Sequence, residues 1–320
     1  MTQNGLSTND ISSLINKSWT LRDQKVAFAG NFVPSLNPIA SLVDPVVSGL
    51  HLNRETIKPG LLVEGQDLTN LILNQALEYF QKALYNFNSH YVLANRGFST
   101  WASVTNYYSS YFSVFALLSL QGRVITKFRL TATEDIPCMI HPEDFKVHKY
   151  IITSKEAGGK THQVPWKKYY TIYDTYQMIK PEFDVVQSKS FVTESIDETE
   201  ERNKINYRIF EGFQEVLNLA DITTFRTQYS DSLASPVLGE NIDKYLDTLR
   251  SLSTDPSFKY FARSALRLIL IKSIFEEIGQ INNDFKLEYE RRVPIWQTTL
   301  FDIYAPPTNY YENFVNTFLN

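Results

Sequence analysis

The stretch whose reading decides the fold is Ser99–Arg123, STWASVTNYYSSYFSVFALLSLQGR. Within it Trp101, Val104, Tyr108, Tyr111, Phe115 and Leu118 recur at the spacing that lines one face of an α-helix. A second seam of small polar residues, Ser103, Asn106, Ser110 and Ser113, follows a similar spacing, and side chains that small let a neighbouring helix approach closely. Ser99 suits the start as an N-cap and Gly122 suits the end. The pattern predicts a central helix over 99–121, with Trp101, Tyr108, Phe115 and Leu118 buried.

Upstream, Leu68, Leu71, Ile72, Tyr79, Phe80, Ala83 and Phe87 form an apolar face behind Asp67, which predicts a helix over 67–92. Asn95, Arg96 and Gly97 break the pattern, so the two helices should form an antiparallel hairpin. Downstream the period falls to two. Val124, Thr126, Phe128 and Leu130, and later Phe145, Val147, Lys149 and Ile151, alternate as two strands of an inserted hairpin joined by a proline-containing link and closed by Gly158 and Gly159. Trp166, Tyr169, Tyr170, Tyr173 and Tyr176 then suggest a short aromatic helix. Ser195 and Glu198 make a capping-box pattern ahead of a helix running to about Leu219. Another helix should start near Leu238–Asp243, and Pro256 should open a long one through Phe261, Ala265, Ile269, Ile274 and Ile278. Prolines 34, 38, 45 and 59 make residues 1–64 an N-terminal arm wrapped over the core, and Pro294, Pro306 and Pro307 suggest a second arm at the end.

With 320 residues, 43% hydrophobic and 14% aromatic, the chain can bury a large core. Its formal charge of −4 argues against a surface coated in positive charge, so any nucleic-acid contact needs a local basic patch. The single cysteine, Cys138, excludes an intramolecular disulfide and a multi-cysteine zinc site. No apolar run approaches the roughly 20 residues that span a bilayer, and residues 1–19 lack the basic start and apolar block of a signal peptide. A cytoplasmic protein without a membrane partner is the expectation.

Catalytic signatures are scarce. The chain has no phosphate-loop pattern, dinucleotide-binding glycine fingerprint, HExxH or nucleophile-elbow motif. His51, His90, His141, His148 and His162 are scattered, and the one near pair, His141 and His148 beside Glu143 and Asp144, reads better as hairpin surface than as a metal site. No metal and no cofactor is expected. Lys259, Arg263 and Arg267, spaced by four, mark a basic stripe that can follow a phosphate backbone or simply face solvent.

Three short segments, in a fixed order, carry a resemblance. YYSSYFSVFALLSLQG resembles the tyrosine-rich helix of HEPN-domain proteins of bacteria and archaea. THQVPWKKYY, from Thr161, is similar to the threonine-histidine segment and helix that follow it, and ERNKINY, with Arg202, Asn203 and Tyr207, is similar to the arginine-to-tyrosine motif of a later helix. The resemblance spans roughly residues 65–220, outside the insert at about 123–160, and leaves 221–320 as a C-terminal helical extension. It implies a mainly α HEPN-like helical bundle, pairing as a homodimer with its polar motif at the dimer cleft, and a role in a bacterial toxin or antiviral-defence system.

Active ribonucleases of that family place a histidine four to six residues after an arginine. Here Tyr207 takes that place after Arg202 and Asn203, and tyrosine, with an ordinary pKa near 10, is a poor base at neutral pH. The resemblance therefore implies a catalytically degenerate module that binds RNA or a partner protein. Two alternatives stand beside it: a metal-independent endoribonuclease using Arg202, Asn203, Tyr207 and His162, and a purely structural subunit of a larger complex.

Overall fold

A computed structural model describes residues 18–35, 60–95, 98–129, 135–154, 163–174, 203 and 259–292. The described protein is mainly helical. Its elements are α1 (Leu21–Ala27), β1 (Leu61–Glu64), α2 (Gln66–Asn95), α3 (Ser99–Leu120), β2 (Val124–Arg129), β3 (Asp135–Asp144), a 3₁₀ turn (Phe145–Val147), β4 (Lys149–Ser154), α4 (Gln163–Asp174), α5 (Lys259–Gly279) and α6 (283–292). The chain divides into two compact units, one of Met1–Tyr79, Val114–Ile179 and Ile274–Leu287, the other of Phe80–Ser113, Lys180–Ser273 and Glu288–Asn320.

The helical hairpin is present as the spacing predicts. Tyr79 packs on Phe115 in the first unit, ring centroids 4.8 Å apart, and His90 bonds the Ala102 carbonyl in the second, so α2 and α3 run antiparallel. The buried side of α3 differs from expectation. Its most buried line is Ala102, Asn106, Ser109, Ser113, Ala116 and Leu120, whereas Tyr108 and Phe115 are half-buried and Trp101 is 57% exposed. Apolar spacing records which side chains are large. Burial is most complete where helices approach most closely, and there only small residues fit.

In the first unit the β region is larger than a hairpin. Four antiparallel strands stand in the order β1-β4-β3-β2, with Leu62 opposite Ile151, Ile140 opposite Ile152 and Val124 opposite Ile140. Strand β3, DIPCMIHPED, lies in the stretch expected to be a link because it holds Pro137 and Pro142. Both prolines sit where β3 has one neighbour: Pro137 faces Lys127 before the ladder to β4 begins, and Pro142 faces Tyr150 after the ladder to β2 ends. There a missing N–H interrupts no two-sided ladder. Residues 145–147, expected to be strand, form the 3₁₀ turn instead, with Asp144 capping the Lys146 N–H.

Carboxamides fasten residues 18–35 within this unit. Gln121 bonds both the N–H and the carbonyl of Trp19, at 2.8 and 3.0 Å. Asn70 and Asn74 bond the backbone of Val33 and Ser35, and Asn282 donates to the carbonyls of Phe28 and Gly30. Thr20 and Asp23 form a capping box at the start of α1. Phe145, fully buried, meets Trp19, Phe28 and Tyr150. Gly122, at φ 70°, ends α3 so close that a Cβ there would lie 3.0 Å from the Phe145 ring.

The expected helices at 195–219 and near 238–243, the turn at Gly158 and Gly159, and the C-terminal arm lie outside the described residues.

Candidate functional site

Of the residues expected to form a catalytic group, Arg202, Tyr207 and His162 lie outside the described residues, while Asn203 is helical and half-buried. The basic stripe is better defined. Lys259 opens α5, but Arg263 and Arg267 are only 2% and 0% exposed, so those two do not face solvent. Residues 261–271 of α5 are all buried. A helix enclosed on every side carries its polar residues into an internal layer, and spacing by four cannot distinguish that layer from a surface.

That layer is built in the second unit from the two polar patterns of the sequence. The Ser110 and Ser264 hydroxyls are 2.6 Å apart, Ser264 also reaches the Asn106 carbonyl at 3.3 Å, and Arg267 Nη1 donates to Ser110 Oγ at 2.8 Å. Small residues on α3 thus admit α5 of the same chain. The seam is occupied within the fold from Asn106 to Ser110, while Ser103 is exposed. Nearby Phe87 and Phe261 stack at 5.2 Å, with His90 5.8 Å from Phe261. Burial holds the His90 imidazole down at about 4, against the opposing effect of the bond to Ala102. Its Nδ1 is therefore the proton donor to that carbonyl, at 2.7 Å, in a neutral ring.

The surface of this unit offers a different feature. Phe98 and Trp101, three residues apart at the start of α3, are 52% and 57% exposed, and Tyr85 on α2 is likewise exposed. Hydrophobic spacing could not reveal this, because it counted Trp101 as core. Large aromatics left in water are the residues that most often anchor a protein partner.

In the first unit Thr69 Oγ1 lies 2.9 Å from His148 Nδ1 and 2.5 Å from the Tyr150 hydroxyl. Burial disfavours ionisation of both His148 and Tyr150. Every proton finds an acceptor if Tyr150 donates to Thr69 and Thr69 donates to His148. His148, at φ 59°, is the one non-glycine residue at positive φ among the described residues, so this chain of bonds fixes a strained turn to the first turn of α2. Beside it Gly30, Asn31, Gln66, Asn70 and Asn282 line a shallow cleft. Cys138 is buried, its thiol pushed up to about 12, which removes thiolate chemistry at neutral pH. Among the described residues no group of three or more histidine, cysteine or acidic side chains comes together to hold a metal.

Comparison of the chain with protein-family models, with curated proteins and with solved structures finds no match.

Proposed function

We propose that the protein is a HEPN-like helical module that binds a macromolecular partner without transforming it, and that the partner is a protein. One observation carries this reading: Arg263 and Arg267 lie inside the fold, Arg267 on Ser110, while Phe98 and Trp101 stand in water. Cations withdrawn into a helix interface cannot release counterions from a nucleic-acid backbone. Exposed aromatics bring large apolar area at small conformational cost, which suits a protein interface. The proposed degenerate HEPN character rests on the three ordered segments and on Tyr207 standing where an active ribonuclease carries histidine.

The test is a comparison of the wild-type protein with the double variant Phe98→Ser, Trp101→Ser, expressed in the native cell and recovered with whatever proteins accompany it. A partner retained by the wild type and lost by a double variant of unchanged melting temperature supports the reading. Salt-sensitive binding of a fluorescent single-stranded RNA that Arg202→Ala removes would replace it with the RNA reading. Cleavage of that RNA, lost on Tyr207→Phe, would replace it with the ribonuclease.

A further inference from the structure

In the first unit the turn between β3 and β4 is held by a chain of hydrogen bonds whose protons can be counted. Asp144 caps the turn, the His148 N–H bonds the Phe145 carbonyl at 3.3 Å, and His148 closes it at φ 59°, a left-handed conformation that costs any residue with a Cβ. Two contacts hold His148 there. Its carbonyl accepts from the Gly65 N–H at 3.0 Å, and its Nδ1 lies 2.9 Å from Thr69 Oγ1, which lies 2.5 Å from the Tyr150 hydroxyl. Thr69 and Tyr150 are 2% and 0% exposed, whereas His148 is half-buried, so the imidazole is the member of the chain that water can reach.

With a neutral ring, the Tyr150 and Thr69 hydroxyls bring one proton to each side-chain contact, and both protons are used. A protonated ring adds a third proton, on Nδ1, to the same two contacts. However the hydroxyls rotate, one donor is then left bare in the interior, because among the described residues neither Thr69 nor Tyr150 has another hydrogen-bond partner. Burial disfavours the charged ring in the same direction. No carboxylate touches the ring to offset this. Lys149 of β4 pairs with Glu64 of β1 at 3.1 Å, and Lys146 of the turn pairs with Asp23 of α1 at 3.7 Å. Glu143 and Asp144 at the end of β3 and Asp67 in the first turn of α2 complete the charged groups adjoining the turn, and none of these acids forms an ion pair with His148 among the described residues.

The same turn pins α1. Phe145 meets the rings of Trp19 and Phe28, which flank that helix, with centroids 6.1 and 5.1 Å away. We propose that His148 is a proton-controlled latch: taking up a proton breaks its bond to Thr69, frees the strained turn from α2, and through Phe145 loosens the hold on α1. The closed turn favours the neutral ring, whereas in the open turn the imidazole stands in water with its ordinary pKa near 6.5. The latch is therefore fully shut above about pH 6.5 and opens as pH falls. It lies apart from the aromatic surface of α3 and does not depend on what that surface binds.

Hydrogen exchange of the full chain, followed amide by amide at pH 7.5 and pH 5.5 and expressed as protection factors, reads the latch directly. The lower pH stays above the range in which carboxylates ordinarily titrate. Protection of the Gly65 and His148 amides, and of the Gln24 and Phe28 amides of α1, should fall by about twofold to tenfold at pH 5.5, the upper limit being set by an open-turn imidazole of ordinary pKa. Amides of β2 and β3 should keep theirs. His148→Asn suits a left-handed turn, offers Thr69 a carbonyl and carries no titratable group, so its protection should be the same at both pH values. In the wild type the loss should follow the titration of the His148 ring measured by NMR. Equal protection at both pH values, an equal loss in His148→Asn, an opening whose midpoint departs from that of the ring, or a turn that opens while α1 keeps its protection would overturn the latch.

Discussion

Arg267 on α5 donates a hydrogen bond to Ser110 on α3 across 2.8 Å, at a point where both residues are fully buried. The small hydroxyl does two things there. It lets the helices approach, and it accepts from a guanidinium that has been taken out of water. Ser110→Ala keeps the close approach but removes the acceptor, so it should lower stability by about 1–3 kcal/mol. Ser110→Leu adds volume at the same point and should cost more, through overpacking. Urea unfolding of the two variants checks the order.

Trp101 gives the opposite expectation. Exposed by more than half, it should tolerate Trp101→Ala within about 0.5 kcal/mol, as surface positions do. A loss of about 3–5 kcal/mol, the cost of emptying an aromatic core position, would restore the core role that its spacing predicts.

Thr69→Val preserves shape and deletes the hydroxyl between Tyr150 and His148. Two buried or half-buried polar atoms then lose their partner. Stability should fall by about 1–3 kcal/mol, and amide exchange should quicken around the turn at residues 145–148.

Acid should loosen the fold through its histidines. Burial lowers His90 to about 4 and His141 to about 3, and it lowers His148 as well. The folded chain therefore keeps these rings neutral where the unfolded chain, with histidines near 6.5, takes up protons. Their contribution is complete above about pH 6.5 and is lost as pH falls toward 4 and 3. At pH 5, His90 and His141 should each account for about 2 kcal/mol of lost stability. The urea midpoint at pH 7.5 and at pH 5 measures the sum, and His90→Gln should reduce the difference.

Gly122→Ala should destabilise by more than 1 kcal/mol. The left-handed φ disfavours any side chain, and the new Cβ meets the Phe145 ring. Calorimetry of this single variant is sufficient.

The helices were the most legible part of the sequence, and the reason is their length. Over Gln66–Asn95, Ser99–Leu120 and Lys259–Gly279 the spacing repeats for several turns, so errors in any one position average out. The strands were legible only where alternation was uninterrupted. β1 is four residues long, and β3 hides behind two prolines whose tolerance depends on ladder ends that only the assembled sheet defines. Ser110 and Arg267 were both visible as members of polar patterns, but nothing in either pattern tells that each is the other's partner 157 residues away.

The fastening of residues 18–35 has a consequence for how this segment responds to its medium. Gln121, Asn70, Asn74 and Asn282 hold backbone groups through neutral amides, and the accompanying ion pairs Lys25–Glu277 and Lys146–Asp23 are partly exposed. Salt screens charges and leaves amides alone. The attachment should therefore lose little strength as salt rises, only what the two ion pairs add, and its natural competitor is urea, which offers the same donors and acceptors as the side chains it would displace.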